Sequence, residues 1–451
     1  MRATLLALAL ALAPDLAARE FRPLRYHDDF AAQREACADS DRIACWKARP
    51  VFGAVRVSLG GDLRWRYEYT DNPGYGADPQ DRRGAWLQRH SVFADFRIGQ
   101  HWRGFAQLAT SRANGRAAGP SPVDANRLDP TNLFAEWHGS AAGVECLGVR
   151  AGIQELLMGS GRLIDAREGP NVRRSFDAIR AYATRGHWHV DAFAAAPRQN
   201  RPGTFDDARS RTQALRGVYA TRTGDGSHWD AYLLHFEDRA ARYAQGTAHE
   251  RRWTLGARMF GSRAAWDWNW EYVLQGGRFG DAGIHAWSLA TDTGYTFDDA
   301  AWRPRLALSM AVASGDRDPD DDRLGTLNAM YPRGNYFGDE ATLGPRNFFN
   351  IHPALFLRPT PQTELNASLD LFWRYSTGDG VYAPNGTMIR APGNSNARYV
   401  ATIASFGATW TPSPGWSLNA VFAYSRPGAF LRETEGDDAL RHMSLTAQYR
   451  F

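Results

Sequence analysis

LRHMSLTAQYRF, residues 440–451, separates into two faces when read one residue at a time. Met443, Leu445, Ala447, Tyr449 and Phe451 fall on one side. His442, Ser444, Thr446, Gln448 and Arg450 fall on the other. A period of two with one apolar and one polar face is a β-strand between two different media. Lipid outside, water inside and an aromatic last residue describe the closing strand of a bacterial outer-membrane barrel. The competing reading is an amphipathic edge strand of a soluble sheet.

Working back along the chain, the same alternation recurs. In VRVSLGGDLRWRYEYT (55–70), Leu63, Trp65, Tyr67 and Tyr69 oppose Arg64, Arg66, Glu68 and Thr70. Over 86–98, Val92, Ala94, Phe96 and Ile98 oppose Arg89, Ser91, Asp95 and Arg97. Over 265–275, Trp266, Trp268, Trp270, Tyr272 and Leu274 alternate with Asp267, Asn269, Glu271, Val273 and Gln275. A soluble sheet has no place for such an aromatic stripe beside so many acids, whereas a membrane barrel does. Weaker segments bring the expected total to about 18 strands, an even number within the known range. Short connections near 99–101, 185–186, 261–263, 359–361 and 411–415 interleave with long ones near 71–84, 112–130, 155–174, 195–210, 238–248, 314–346, 376–396 and 426–438. Short periplasmic turns and long extracellular loops explain that rhythm. The fold expected is an all-β, antiparallel, up-and-down transmembrane barrel over 55–451.

The N-terminus fits the same compartment. Arg2, an apolar run from Leu5 to Ala13 and small residues at Ala17 and Ala18 form a secretory signal peptide pattern, expected to occupy 1–18. Residues 19–54 lack alternation and read as a periplasmic lead-in with a short helix around Phe30 to Ala36. Cys37 and Cys45 are disulfide candidates in an oxidising periplasm, which leaves Cys146 over. The formal net charge of the 451 residues is only +4, without the basic excess of a nucleic-acid binder. Lys47 is the only lysine among 53 Lys and Arg residues, so basic surfaces here are built from guanidinium forks.

Several stretches resemble the alginate export family of outer-membrane porins. They are VSLGGDLRWRYEY (57–69), GIQELLMGSGRLIDAREGPNVRRSFDAIR (152–180), ASGDRDPDDDRLGTLNAMYPRGNYFGD (313–339), GPRNFFNIHPALFLRPT (344–360), LFWRYSTGDGVYAPNG (371–386) and ARYVATIASFGATWTP (397–412). The 152–180 stretch is the distinctive one, with a departure at Ile153, where a polar or basic residue is expected. The resemblance implies an 18-stranded barrel with an arginine-rich constriction that passes anionic polysaccharide. It also implies a multi-pass protein of the outer membrane of a Gram-negative bacterium.

Alternation places Arg64, Arg66, Arg89, Arg97, Arg103, Arg150, Arg252, Arg258, Arg303, Arg305 and Arg374 on the inner face, with acids at Glu68, Asp95, Glu136, Glu271, Glu364 and Asp370. Rings of such side chains select anions, although lumenal salt bridges would use the same residues. The connection 155–174 is expected to fold inward, and its Arg162, Asp165, Arg173 and Arg174 are constriction candidates. Asp316, Asp318 and Asp320 form a weak Ca²⁺ candidate, because Leu327 stands where an EF-hand needs glutamate. No other cofactor is expected. Nucleophile-elbow, zincin and phosphate-loop motifs are absent, so no enzyme activity is expected. Expected partners are outer-membrane lipid, an anionic saccharide and, for outward transport, a periplasmic export scaffold. Uptake of small organic anions stays open, as do a barrel lipid hydrolase and a surface-binding adhesin.

Overall fold

The computed structural model describes residues 21–35, 37, 43–334, 337–338, 340–434 and 436–451. The expected signal peptide lies outside the described residues. The wall strands are β1 Val55–Asp71, β2 Ala85–Ile98, β3 Trp102–Asn114, β4 Asn126–Ala141, β5 Val144–Gln154 and β6 Phe176–Arg185. They continue as β7 Trp188–Gln199, β8 Gln213–Arg222, β9 Ser227–Tyr243, β10 Gly246–Arg263, β11 Trp266–Phe279 and β12 Ala282–Thr296. The last are β13 Arg305–Ala313, β14 Phe348–Thr360, β15 Thr363–Arg374, β16 Tyr399–Ser413, β17 Trp416–Pro427 and β18 Leu440–Arg450. Each pairs antiparallel with its neighbours in chain order, and the eighteenth returns to the first, from Asp62 opposite Arg450 to Asp71 opposite Arg441. Closure pairs every wall strand on both sides, which lipid demands because it offers the backbone no partner.

The burial pattern follows the sequence period. Along β2, Arg89, Ser91, Phe93 and Asp95 point inward while Trp86, Val92 and Phe96 are exposed on the outside. Outward-facing Trp102, Trp188, Trp229, Trp266, Trp302 and Trp416 gather at the periplasmic ends of the strands. Indole rings favour the membrane–water boundary, so this belt marks the inner rim of the bilayer.

Loop lengths depart from the expected rhythm in two places. The connection expected at 238–248 is strand instead. A bulge between Asp238 and Ala241 lets β9 and β10 continue pairing until Tyr243 meets Gly246. The turn after β11 is equally tight, since Phe279 already pairs with Ala282. Arg303, expected on the lumenal wall, sits instead in the turn before β13 at φ 43°, exposed and paired with Asp298 at 2.5 Å. The turn-forming segment 297–304 is longer than the alternation suggested, which displaces that arginine from the wall.

The segment expected to lead in from the periplasm enters the barrel. It carries the α1 turn Phe30–Glu35, and Cys37 is disulfide-bonded to Cys45. Leu24, Tyr26 and Phe30 pack on the inward Phe93, Phe105 and Phe134 of β2, β3 and β4. A short strand, Arg49–Phe52, then pairs with the start of β1. The reason is chemical: three stacked phenylalanines facing a water-filled lumen need an apolar cover, and this segment supplies it.

Candidate functional site: a lumenal band of two loops

Loop 155–175 folds inward and crosses the lumen. One end is held at β1 and β2, where Arg64 donates to the carbonyls of Glu168 (2.8 Å) and Pro170 (2.9 Å) and Arg89 pairs with the Glu168 carboxylate. The other end reaches β11, where Ser160 donates to Glu271 at 2.8 Å and Arg162 pairs with the same carboxylate at 3.0 Å. Between these ends, a second loop runs alongside. Ile164 bridges to Tyr331, the Tyr331 amide donates to Leu163 (3.0 Å), and the Arg333 amide donates to Gly161 (3.2 Å). Two long connections therefore form one band inside the barrel. Each supplies backbone donors and acceptors to the other, which satisfies part of the backbone that both carry into the lumen.

The expected site residues divide by what occupies them. Arg173 pairs with buried Glu155 at 2.5 Å and with Glu168, and it donates to the Pro23 carbonyl at 3.0 Å. It thereby joins the band to the N-terminal segment. Arg174 donates to the Pro332 carbonyl and lies 5.2 Å over the Tyr331 ring. Asp165 accepts from the Arg167 amide at 2.5 Å and shapes the loop bend. Arg66 lies on Glu68 at 3.0 Å, and Glu68 also binds Arg116. Arg150 pairs with Glu136 at 2.5 Å between the Tyr26 and Phe134 rings, each 4.4 Å away. Asp95 binds Arg103 at 2.5 Å and Arg97 at 3.2 Å, and Arg97 is half-exposed at the periplasmic rim.

Arg374 corrects the expectation of a pore-lining group. It is 1% exposed, donates to the carbonyls of Ser395 (2.9 Å) and Ala397 (2.6 Å), and stacks on Phe430 at 3.8 Å. It faces inward as the alternation required, but outer-loop carbonyls consume its donors. The Ca²⁺ candidate is also corrected. Asp316 turns inward to accept from Gln245 and the Gly325 amide, while Asp318 and Asp320 face solvent, so their oxygens do not converge.

Two spaces flank the band. One, of ≈ 40 Å³, is lined by Arg25, Arg89, Arg173 and Arg450 with Asp62 and Glu155. The other, of ≈ 330 Å³, lies between the band and the β11–β14 wall, lined by Arg162, Arg333, Asn269, Asp292, Ser309 and His352. Arg333 was missed from the sequence. It sits in the family-like 313–339 stretch, but nothing local distinguishes it from the other loop arginines.

The N-terminal segment is tied to the barrel seam. Arg25 donates to the Gly61 carbonyl (2.9 Å), the Asp62 carboxylate (2.8 Å) and the Phe451 carbonyl (3.2 Å). Enclosure in the lumen, and then the guanidinium groups of Arg150, Arg180 and Arg103, push the adjacent His27 down to about 3 against the opposing pull of Glu136. The docked imidazole thus titrates below its ordinary 6.5, so the undocked segment takes the proton first. Docking is fully supported above the ordinary value and weakens as pH falls from there toward about 3. The ring is exposed to solvent, which substantially weakens the effect. Hydrogen-exchange protection of residues 21–35, corrected for intrinsic rates, should drop between pH 7.5 and 4.5. His27→Asn should remove that drop, and equal pH sensitivity in both proteins would refute the link.

A closed barrel with a lipid-facing belt, a polar lumen and an inward loop band is a porin-type channel of the Gram-negative outer membrane. The alginate export family model matches residues 55–443, and the chain belongs to that family, one of channels and not of enzymes. Among solved structures, a BenF-like porin from Pseudomonas fluorescens Pf-5 is similar at TM-score 0.60 and 8% identity, over 88% of this chain and 98% of that one. OpdK of Pseudomonas aeruginosa, solved with vanillate, is similar at 0.57 and 10% identity, over 88% and 98%. OccAB4 of Acinetobacter baumannii is similar at 0.56 and 10% identity, again over 88% and 98%. At these identities the likeness is one of fold. No curated protein sequence matches the chain.

Proposed function

We propose that this channel passes an anionic saccharide by diffusion along the β11–β14 side of the band, with Arg162 and Arg333 as the groups it meets. The observation that carries this reading is the composition of that space. Two guanidinium groups on the band face a wall of Asn269, Asp292, Ser309, Asn350 and His352. A carboxylated sugar needs both kinds of partner: fork donors for its carboxylate, and amide and hydroxyl groups for its ring hydroxyls. Asp292 on the opposite wall keeps the anion from binding too tightly to leave. The inner-face arginines of β1, β2 and β5 have a different task, because loop carbonyls and acids bury them, whereas Arg162, though paired with Glu271, is only partly buried and Arg333 is exposed.

Uptake of a small organic anion is the second reading, favoured by the narrow space beside the band and by the vanillate in the OpdK structure. Direction would be set by partners, with outward transport requiring a periplasmic scaffold. The test is reversal potential in a planar bilayer under a KCl gradient, with and without mannuronate oligomers. Anion preference and oligomer block are expected, and Arg162→Ser/Arg333→Ser should lose both while the barrel still forms. Block by monomeric carboxylates alone would support the second reading. An unchanged reversal potential in the double variant would remove these two arginines from the path.

A further inference from the structure

β4 rises past the end of its neighbour β5. The last β4–β5 pair at this end joins Leu133 to Ile153, which leaves residues 126–132 without a partner on that side. Loop 200–212 fills this edge. The Arg127 and Leu128 amides donate to the Gly203 carbonyl, and the Phe205 amide donates back to Leu128. The exposed edge of one strand thus captures a loop from across the rim.

At this junction three carboxylates meet. Asp129 on β4 and Asp206 and Asp207 on the loop each present an oxygen within 4.8 Å of the other two. Some of their oxygens have donors. The Arg201 amide and Asn126 Nδ2 serve Asp207 at 2.7 and 3.0 Å, and the Gly203 amide serves Asp206 at 3.0 Å. Others have none. Asp129 Oδ2, Asp206 Oδ1 and Asn126 Oδ1 are buried without a hydrogen-bond partner. Asn126 and Asp129 are only 5% and 3% exposed, and both line the same lumenal space as Asp207. Arg198, the nearest guanidinium, donates to the Asp207 backbone carbonyl and pairs with Asp177, so it leaves the three carboxylates without an ion pair.

Unpaired buried oxygens of this kind each cost free energy, and three neighbouring carboxylates repel one another. A hard cation with six to eight oxygen ligands relieves both at once. We propose that Asp129, Asp206 and Asp207, with the side-chain carbonyl of Asn126, form a Ca²⁺ site that clamps loop 200–212 to the rim of β4. The oxygen-only donor set suits Ca²⁺, and the mixed backbone and side-chain surroundings suit its flexible geometry better than the strict octahedron of Mg²⁺. Residues 126 and 129 lie on the strand and 206 and 207 on the loop, so the ion would cross-link segments that only weak pairing otherwise joins. The site lies at the outer end of the barrel, where extracellular modules work at dissociation constants of about 10⁻⁴–10⁻³ M. It does not depend on which solute the channel passes.

The experiment is calorimetric titration of the detergent-folded, EDTA-treated full-length protein with CaCl₂. Asp206→Asn/Asp207→Asn and Asp318→Asn/Asp320→Asn variants run beside it, each checked for barrel formation by heat-modifiable gel mobility. Saturable binding near one Ca²⁺ per chain is expected, kept in the second variant and lost in the first. Ca²⁺ should also slow proteolysis of loop 200–212 in the wild type but not in the first variant. Absence of binding at 10 mM CaCl₂ would overturn the proposal, as would unchanged stoichiometry in the first variant, or loss in the second alone. Such results would leave three acids that share protons instead of a metal.

Discussion

Arg173→Ser should release both the lumenal band and the N-terminal segment. Arg173 ties the two together by charge, through Glu155 and Glu168 on one side and the Pro23 carbonyl on the other, beside the Tyr26 hydroxyl, which donates to the Glu155 carbonyl at 2.5 Å. Glu155 is 1% exposed, and its remaining side-chain donor is Asn132 at 3.2 Å. Removing one member of a buried ion pair leaves the other charge uncompensated, at a cost of about 3–5 kcal/mol. The β-barrel wall has its own closed ladder and should survive. The loss should therefore appear locally, as faster hydrogen exchange in 155–175 and 21–35, and as noisier, larger single-channel currents. Arg173→Lys restores charge but not the bidentate fork and should fall between the two. Wild-type protection of both segments in the Ser variant would show that the Arg64, Arg89, Ser160 and Arg162 anchors and the backbone pairing with loop 314–347 hold the band without Arg173.

Deleting residues 19–47 while keeping 1–18 should have the second large effect. The segment covers the Phe93, Phe105 and Phe134 stack and fills the β2–β4 side of the periplasmic lumen. Without it, conductance should rise by roughly twofold or more, since the current is limited by the free cross-section. The apolar patch left facing water should lower thermal stability, at about 25 cal/mol for each Å² of apolar surface exposed. Unaltered conductance would place the resistance of the channel wholly at the 155–175 band.

The wall was legible because its code is local. Trp266 to Gln275 declares two faces within ten positions, and lipid on one side with water on the other enforces that alternation strand by strand. The inward fold of the 155–174 connection was also readable, through a stretch that resembles the family. What each inward arginine binds was not readable. Arg64, Arg162 and Arg374 all lie inside the barrel, yet one meets loop carbonyls, one meets Glu271 and one meets the Ser395 and Ala397 carbonyls. Their partners lie many residues away, where no periodicity reports them. The same distance hides the junction of Asp129 with Asp206 and Asp207, whereas the acids between Asp316 and Asp322 stand close together in sequence. The docked N-terminal segment was missed for the opposite reason. A segment without alternation reads as outside the wall, but nothing in it says on which side of the wall.

The socket for Arg25 is made of Gly61 and Asp62 near the chain's beginning and Phe451 at its very end. Those groups become neighbours only when β18 zips onto β1. The N-terminal segment therefore has no complete berth until that seam closes. A barrel stalled with an open seam would keep residues 21–35 displayed to periplasmic proteases. A finished one withdraws them. The molecule thus carries its own certificate of closure, written at the junction of its first and last strands.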